Sequence, residues 1–246
     1  MEDKYLRRIN FSNKAKRVPI CFCIDTSDSM GVIVDGFENM KSTGQKVFTD
    51  QREYEIVEGG ISLMDKIHEG LKNFYDAVID DDMACDSCES AIVTFNDRAK
   101  LYEGFSSVEE KSVPNFSSLI GGNTNVTPAI RMALDLLAKQ KEFYKNNKIS
   151  YFQPWLVLFT DGLPTDDVSA IKRELMQIQD DDKLSVYTMA LSDDPDLLNA
   201  LRGFSKERPI RCNDPKVIQK FFNFFAKSVS VVAAGGERPP IPENFF

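Results

Sequence analysis

The stretch Ile20-Cys21-Phe22-Cys23-Ile24-Asp25-Thr26-Ser27-Asp28-Ser29-Met30 decides how the rest of this chain is read. An apolar run that reads as a buried strand stops at a carboxylate, and two hydroxyls follow at two-residue steps. If extended backbone continues past the strand end, a period of two points Asp25, Ser27 and Ser29 the same way. Three hard oxygen donors at the mouth of a buried strand suit a small, hard cation such as Mg²⁺. A polar strand-to-loop turn built from Asp and Ser fits the same residues.

Two later stretches bear on that choice. Gly121-Gly122-Asn123-Thr124 precedes a long helical pattern and offers a flexible loop with one hydroxyl. Trp155-Leu156-Val157-Leu158-Phe159-Thr160-Asp161-Gly162 is a second buried-strand pattern that ends in a carboxylate.

Working outward, the strands and helices alternate. The first strand covers residues 17 to 26, and apolar residues at helical spacing predict a helix over Ile61 to Asp80. Between them, residues 31 to 60 read as a β-hairpin insertion with short strands near Gln45–Phe48 and Tyr54–Val57. It is too short to hold a core of its own. Ser90–Asn96 and Lys100–Phe105 follow as strands joined by a tight turn at Asp97-Arg98, so one of them should run antiparallel. Val126–Phe143 is the second long helix, with Pro128 in its first turn. Strands at Trp155–Phe159, Leu184–Leu191 and Ile210–Cys212 alternate with helices at Asp166–Gln179, Pro195–Phe204 and Val217–Val232. The phenylalanines of the last helix read as core packing. This order predicts a doubly wound, Rossmann-like α/β fold: a mostly parallel six-stranded sheet, one antiparallel strand, helices on both faces. In such sheets ligands bind beyond the carboxyl ends of strands at the switch point, where Asp25 and Asp161 are expected to meet.

The domain organisation expected is an N-terminal extension over 1–16, one α/β domain over 17–232 carrying the 31–60 insertion, and an extended, mobile tail over 233–246. The 246 residues are 42% hydrophobic and 28% charged, ordinary globular usage. A net charge of −8 argues against nucleic acid or an anionic membrane as the main partner. No run approaches the roughly 18 apolar residues of a membrane span, and Met1 to Arg8 lacks the apolar core of a secretory signal. Five cysteines without such a signal fit a reducing, cytoplasmic compartment. Cys21 and Cys23 read as small core residues. Cys85-Asp86-Ser87-Cys88 has metal-ligand spacing, but no second pair completes a zinc site. His68, the only histidine, falls in a helical pattern and leaves little for imidazole chemistry.

The ordered set Asp25-x-Ser27-x-Ser29, then Gly121-Gly122-x-Thr124, then strand-Thr160-Asp161-Gly162 resembles the metal-ion-dependent adhesion site of von Willebrand factor type A (VWA) domains. The resemblance covers about residues 17 to 232. Within that group the chain is most similar to small bacterial cytoplasmic proteins of the tellurite-resistance (TerY-like) type, above all in Thr160-Asp161-Gly162-Leu163-Pro164-Thr165-Asp166. The resemblance implies that Ser27, Ser29 and Thr124 ligate a divalent cation (Mg²⁺ before Mn²⁺ or Ca²⁺) through hydroxyls. Asp25 and Asp161 would act directly or through water, and a protein partner would supply an Asp or Glu carboxylate to the remaining position. Asp28 departs from the family pattern, which has glycine there, and is expected to face solvent. The 31–60 insertion is expected to overhang the site and shape partner choice.

Two carboxylates about 5 Å apart in a partly buried pocket repel by roughly 3 kcal/mol at an effective dielectric near 20. A divalent ion cancels that repulsion and accepts one more anionic oxygen. The function expected is therefore a metal-dependent protein-interaction module, not an enzyme, in a bacterial stress, tellurite-resistance or defence system. The alternative is a Mg²⁺-dependent phosphohydrolase of the haloacid dehalogenase type with Asp25 as nucleophile. Such enzymes want a second acid two residues on, where Ser27 stands.

Overall fold

The computed structural model describes residues 15–49, 52–113, 115–212 and 214–246. Most of the expected N-terminal extension, residues 1–14, lies outside them. The chain runs β1 (Val18–Asp25), β2 (Ile33–Asp35), β3 (Lys41–Thr49), β4 (Arg52–Glu58), β5 (Ile61–Ser62), α1 (Leu63–Ile79), α2 (Asp82–Ser87) and β6 (Cys88–Phe95). It continues through β7 (Ala99–Ser107), α3 (Val126–Asn146), β8 (Trp155–Thr160), α4 (Ser169–Asp180), β9 (Ser185–Ala190), α5 (Pro195–Leu201), β10 (Ile210–Arg211) and α6 (Pro215–Ala233).

The main sheet is six-stranded in the order β10-β9-β8-β1-β6-β7. β7 alone runs antiparallel, against β6. This is the doubly wound, mostly parallel sheet expected. Every residue of β1 is buried, as a central strand covered on both faces requires. Its side chains alternate: Ile20, Phe22 and Ile24 enter one core, Cys21 and Cys23 the other. α1 and α6 cover the first face, and α3, α4 and α5 supply apolar residues to the second. α1 approaches α6 so closely that a Cβ on Gly70 would lie 2.2 Å from the Phe222 ring. Phe222 in turn stacks on Phe159 of β8, 5.4 Å between centroids. The phenylalanines of α6 are core residues, as expected, with Phe221, Phe222 and Phe225 fully buried.

Helix starts follow local chemistry. Ser62 and Asp65 form a reciprocal capping box on α1. Asp194-Pro195 and Asp214-Pro215 open α5 and α6, each aspartate accepting a backbone N–H while proline sits where none is needed.

Several expectations need correction. α4 begins at Ser169, three residues later than expected, because Asp166 is used elsewhere (below). The turn between β6 and β7 spans Asn96 to Arg98, three residues instead of two. α2 was not anticipated; six residues are too few for a helical period to register. The tail is not loose: Phe245 is buried against Phe221 and Phe224 of α6, Arg208 pairs with Glu243, and Arg238 donates to the Tyr187 hydroxyl. The insertion does form a hairpin, β3 against β4, longer than expected and in its own two-stranded sheet; β2 and β5 form a second such pair. Among the described residues, no helix is long and apolar enough to cross a membrane.

Candidate metal centre

β1 lies between β6 and β8, so the sheet reverses its winding beside it and a crevice opens at its carboxyl end. Asp25 is the last residue of β1 and is fully buried. Its Oδ1 accepts the Ser27 N–H at 2.8 Å and its Oδ2 accepts the Thr160 hydroxyl at 2.6 Å. Thr26 turns away: its N–H and hydroxyl both donate to the Phe95 carbonyl of β6.

Beyond Ser27 the backbone does not stay extended. Residues Asp28–Gly31 wind into a 3₁₀ turn with Met30 buried beneath it. Ser27 and Ser29 nevertheless come together, hydroxyl oxygens 3.3 Å apart, through this turn and not through strand alternation. The turn also carries Asp28 outward to an exposed position.

The second loop is tied to the first by backbone bonds: Gly121 N–H to the Thr26 carbonyl, Asp28 N–H to the Gly122 carbonyl. Gly122 adopts φ of +81°, and the Asp97 carboxylate occupies the space a Cβ would need. Asp97 also accepts from the backbone and side-chain N–H groups of Asn123. The third loop closes on the second, since Thr165 N–H donates to the Thr124 carbonyl. Asp166 takes both the Val126 and Thr127 N–H groups at 2.8 Å, capping α3 from 40 residues away.

These braces gather all five expected residues. Ser29 donates to Asp161 Oδ1 at 2.8 Å. A Cβ on Gly162 would lie 3.0 Å from the Thr124 hydroxyl and 3.8 Å from that of Ser29, so both hydroxyls flank one point. Sequence reasoning missed Thr160, Asp97 and Asp166, which hold the site's residues in place. Thr160 carried a signal, as the residue between buried strand and acid; an isolated Asp in a turn carries none.

The electrostatics fit a cation. Burial pushes the Asp25 carboxyl up to about 7, the nearby Asp161 charge adds to the rise, and hydrogen bonds from Thr160 and Ser27 oppose it. The donor set is two carboxylates and three hydroxyls, all hard oxygens, which suits Mg²⁺ or a similar ion. Among the described residues no group of three or more His, Cys, Asp or Glu is arranged to hold a metal, so a cation here would depend on the hydroxyls as well as the two carboxylates. Among the described residues Cys85 and Cys88 have no further Cys, His, Asp or Glu arranged with them to complete a zinc site, and all five cysteines are free thiols.

Two grooves border the cluster. One, about 620 Å³, runs past Ser29, Thr124, Asp161 and Leu163. The other, about 710 Å³, runs under the hairpin past Asp28, Phe37, Phe48 and Ile56. Val32 and Tyr54 line both. Phe48 and Phe37 are 75% and 60% exposed, so the hairpin brings an apolar surface to the rim of the cluster.

No family model matches the sequence, and no curated protein sequence is similar to it. Solved structures are. The vWF domain of the type V pili tip protein Mfa5 from Porphyromonas gingivalis is 10% identical with a TM-score of 0.59, over 93% of this chain and 99% of that one. A von Willebrand factor type A protein from Catenulispora acidiphila is 13% identical with a TM-score of 0.57, over 87% of this chain and 43% of that one. The PilB minor pilin from Streptococcus sanguinis is 14% identical with a TM-score of 0.54, over 88% of this chain and 62% of that one. The chain thus spans less than two thirds of the last two. Likeness at such low identity speaks to architecture alone, and with the sheet order above it assigns this chain the von Willebrand factor type A fold.

Proposed function

We propose that Ser27, Ser29, Thr124, Asp25 and Asp161 hold a divalent cation, Mg²⁺ first, and that the protein is a metal-dependent protein-interaction module without catalytic activity. The observation that supports this reading is the run of contacts that brings three hydroxyls and two carboxylates, one fully buried, close together at the switch of the sheet. The bound ion would neutralise the Asp25–Asp161 repulsion and present a positive charge to an Asp or Glu of a protein partner. The grooves and the exposed hairpin surface give that partner apolar contact beside the ion. The neighbours support the same class, since the Mfa5 and PilB proteins are named as a pilus tip protein and a minor pilin.

The phosphohydrolase alternative is disfavoured by Asp25 itself. Both its oxygens are engaged and none of its surface is open to an incoming phosphate. A setting in a bacterial stress, tellurite-resistance or defence system, in the cytoplasm, rests on the motif resemblance and on the free thiols.

The test is unfolding of the full chain with Mg²⁺ and with EDTA. At ten times its dissociation constant the ion should add roughly 1.4 kcal/mol. That corresponds to about 3–6 °C in melting temperature. Capture of a partner from the native host should fail with chelator and with Asp161→Ala. Identical melting curves, or capture indifferent to both changes, would contradict the reading.

A further inference from the structure

Behind the first metal loop lies a second polar cleft, of about 150 Å³, lined by Thr26, Thr94, Asn96, Arg98, Lys100 and Ser118. It sits where β6 ends and β7 begins; Thr94 and Lys100 are register partners on those strands, so their side chains share a face.

Its lining is unusual in sign. The protein carries a net charge of −8, yet two cations meet here and no acidic residue lines the cleft. Among the described residues neither Arg98 nor Lys100 forms an ion pair. Asp97, adjacent to Arg98, is directed to the other side of the turn, where Asn123 donates to it.

A second observation is independent of charge. Thr94 is only 3% exposed, and among the described residues its hydroxyl has no hydrogen-bond partner, although it borders the cleft. That hydroxyl is not closed off from solvent, so it takes its partner, water or ligand, from the cleft. Ser118, exposed at the rim, adds a second hydroxyl to the lining. The wall thus offers donors from several directions: a guanidinium, an ammonium and two hydroxyls. A ligand that accepts from all of them is an oxyanion. The volume, well under the roughly 300 Å³ at which drug-sized ligand sites begin, has no room for a nucleoside.

We propose that this cleft binds a tetrahedral oxyanion, free phosphate or the phosphoryl group of a phosphorylated residue, held by Arg98 and Lys100 and hydrogen-bonded by Thr94 and Ser118. The site is separate from the metal cluster, and it stands whether or not a cation binds there.

The test is an NMR titration of the ¹⁵N-labelled full chain with inorganic phosphate. It is run in chelator, so that no divalent ion can carry the phosphate, and at ionic strength held constant with sodium chloride. Saturable amide shifts are expected around Thr94–Lys100 and Ser117–Leu119. Arg98→Gln/Lys100→Gln, a change of exposed residues, should weaken binding about tenfold or more, the loss expected for charge-assisted hydrogen bonds. Thr94→Val, which keeps the shape, should weaken it several-fold without lowering the melting temperature. Acetate should bind at least about tenfold more weakly than phosphate, since it cannot reach donors on all sides. O-phosphoserine separates the two sources: tighter binding than phosphate assigns a phosphorylated side chain, weaker binding a free ion. No saturable shift beyond that of chloride, equal affinity in the double variant, or acetate binding as tightly as phosphate would overturn the proposal.

Discussion

Two carboxylates are buried at opposite ends of the same sheet, and the protein treats them differently. Glu89, near the start of β6, faces Arg17 at 3.3 Å, accepts from the Gln140 amide at 2.9 Å and bonds the Tyr144 hydroxyl. Asp25, at the end of β1, faces hydroxyls, one backbone N–H and a second carboxylate, Asp161. Burial raises both carboxyls above their ordinary range; for Glu89 Arg17, Tyr144 and Gln140 act against the rise, for Asp25 the neighbouring acid deepens it. One end supplies its own cation from the chain. The other gathers hydroxyls and carboxylates around a buried acid, the pattern that the proposed cation site would use and a structural lock would not.

The contrast can be broken most forcefully at the lock. Glu89→Ala should cost about 3–5 kcal/mol in urea unfolding, because it strands Arg17 in the interior. Any metal response should survive. A loss under about 1 kcal/mol would mean that the pair is not structural.

Asp25→Asn should act with the opposite sign. In metal-free buffer above neutral pH it removes a buried charge whose carboxyl is raised from 3.8 to about 7. That substitution should raise stability by up to about 4 kcal/mol, at about 1.36 kcal/mol per pH unit, while abolishing stabilisation by Mg²⁺. Destabilisation in EDTA at pH 8 would show that Asp25 is satisfied without an ion.

The same group fixes a pH dependence. The folded protein holds the Asp25 proton more tightly than the unfolded chain, so its contribution is fully present below the unfolded value of 3.8 and is lost as pH rises through about 7. Metal-free stability should decline across that window, Mg²⁺ should flatten the decline, and apparent Mg²⁺ affinity should climb with pH. Melting curves at stepped pH, with and without the ion, check all three.

Smaller effects sharpen the picture. Gly122→Ala meets a φ of +81° and the Asp97 carboxylate, 2.4 Å from the added carbon. It should cost about 1–2 kcal/mol and weaken metal binding, because the loop that carries Thr124 must move. Phe48→Ser, at a position 75% exposed, should change stability by no more than about 0.5 kcal/mol and reduce partner capture.

Much of this was legible in the residues. A strand such as Ile20–Ile24 announces itself by continuous apolarity, and the alternation of strand and helix leaves few topologies open. Asp25 and Asp161 were legible because a charge at the end of a buried run is costly and so demands a reason. The braces were not. Asp97 and Asp166 act on backbone groups 26 to 40 residues away, and nothing near them in sequence distinguishes them from ordinary turn acids. The 3₁₀ turn at Asp28–Gly31 replaced the extended geometry that a period of two implies, yet Ser27 and Ser29 still meet, since a tight turn also brings i and i+2 together. The tail misled for a different reason: Gly235-Gly236 and Pro239-Pro240 have the composition of a loose segment, while Phe245 finds the aromatic surface of α6 only in three dimensions.

The proposed cation lies among the oxygens of Ser27, Ser29, Thr124, Asp25 and Asp161. Crystals grown with Mn²⁺ and measured at its absorption edge test it most directly. The expected result is a single anomalous peak at coordination distance, a little over 2 Å, from the Ser27, Ser29 and Thr124 hydroxyls and beside Asp161. A map with no peak there at saturating Mn²⁺, or with its only peak on other residues, would contradict it.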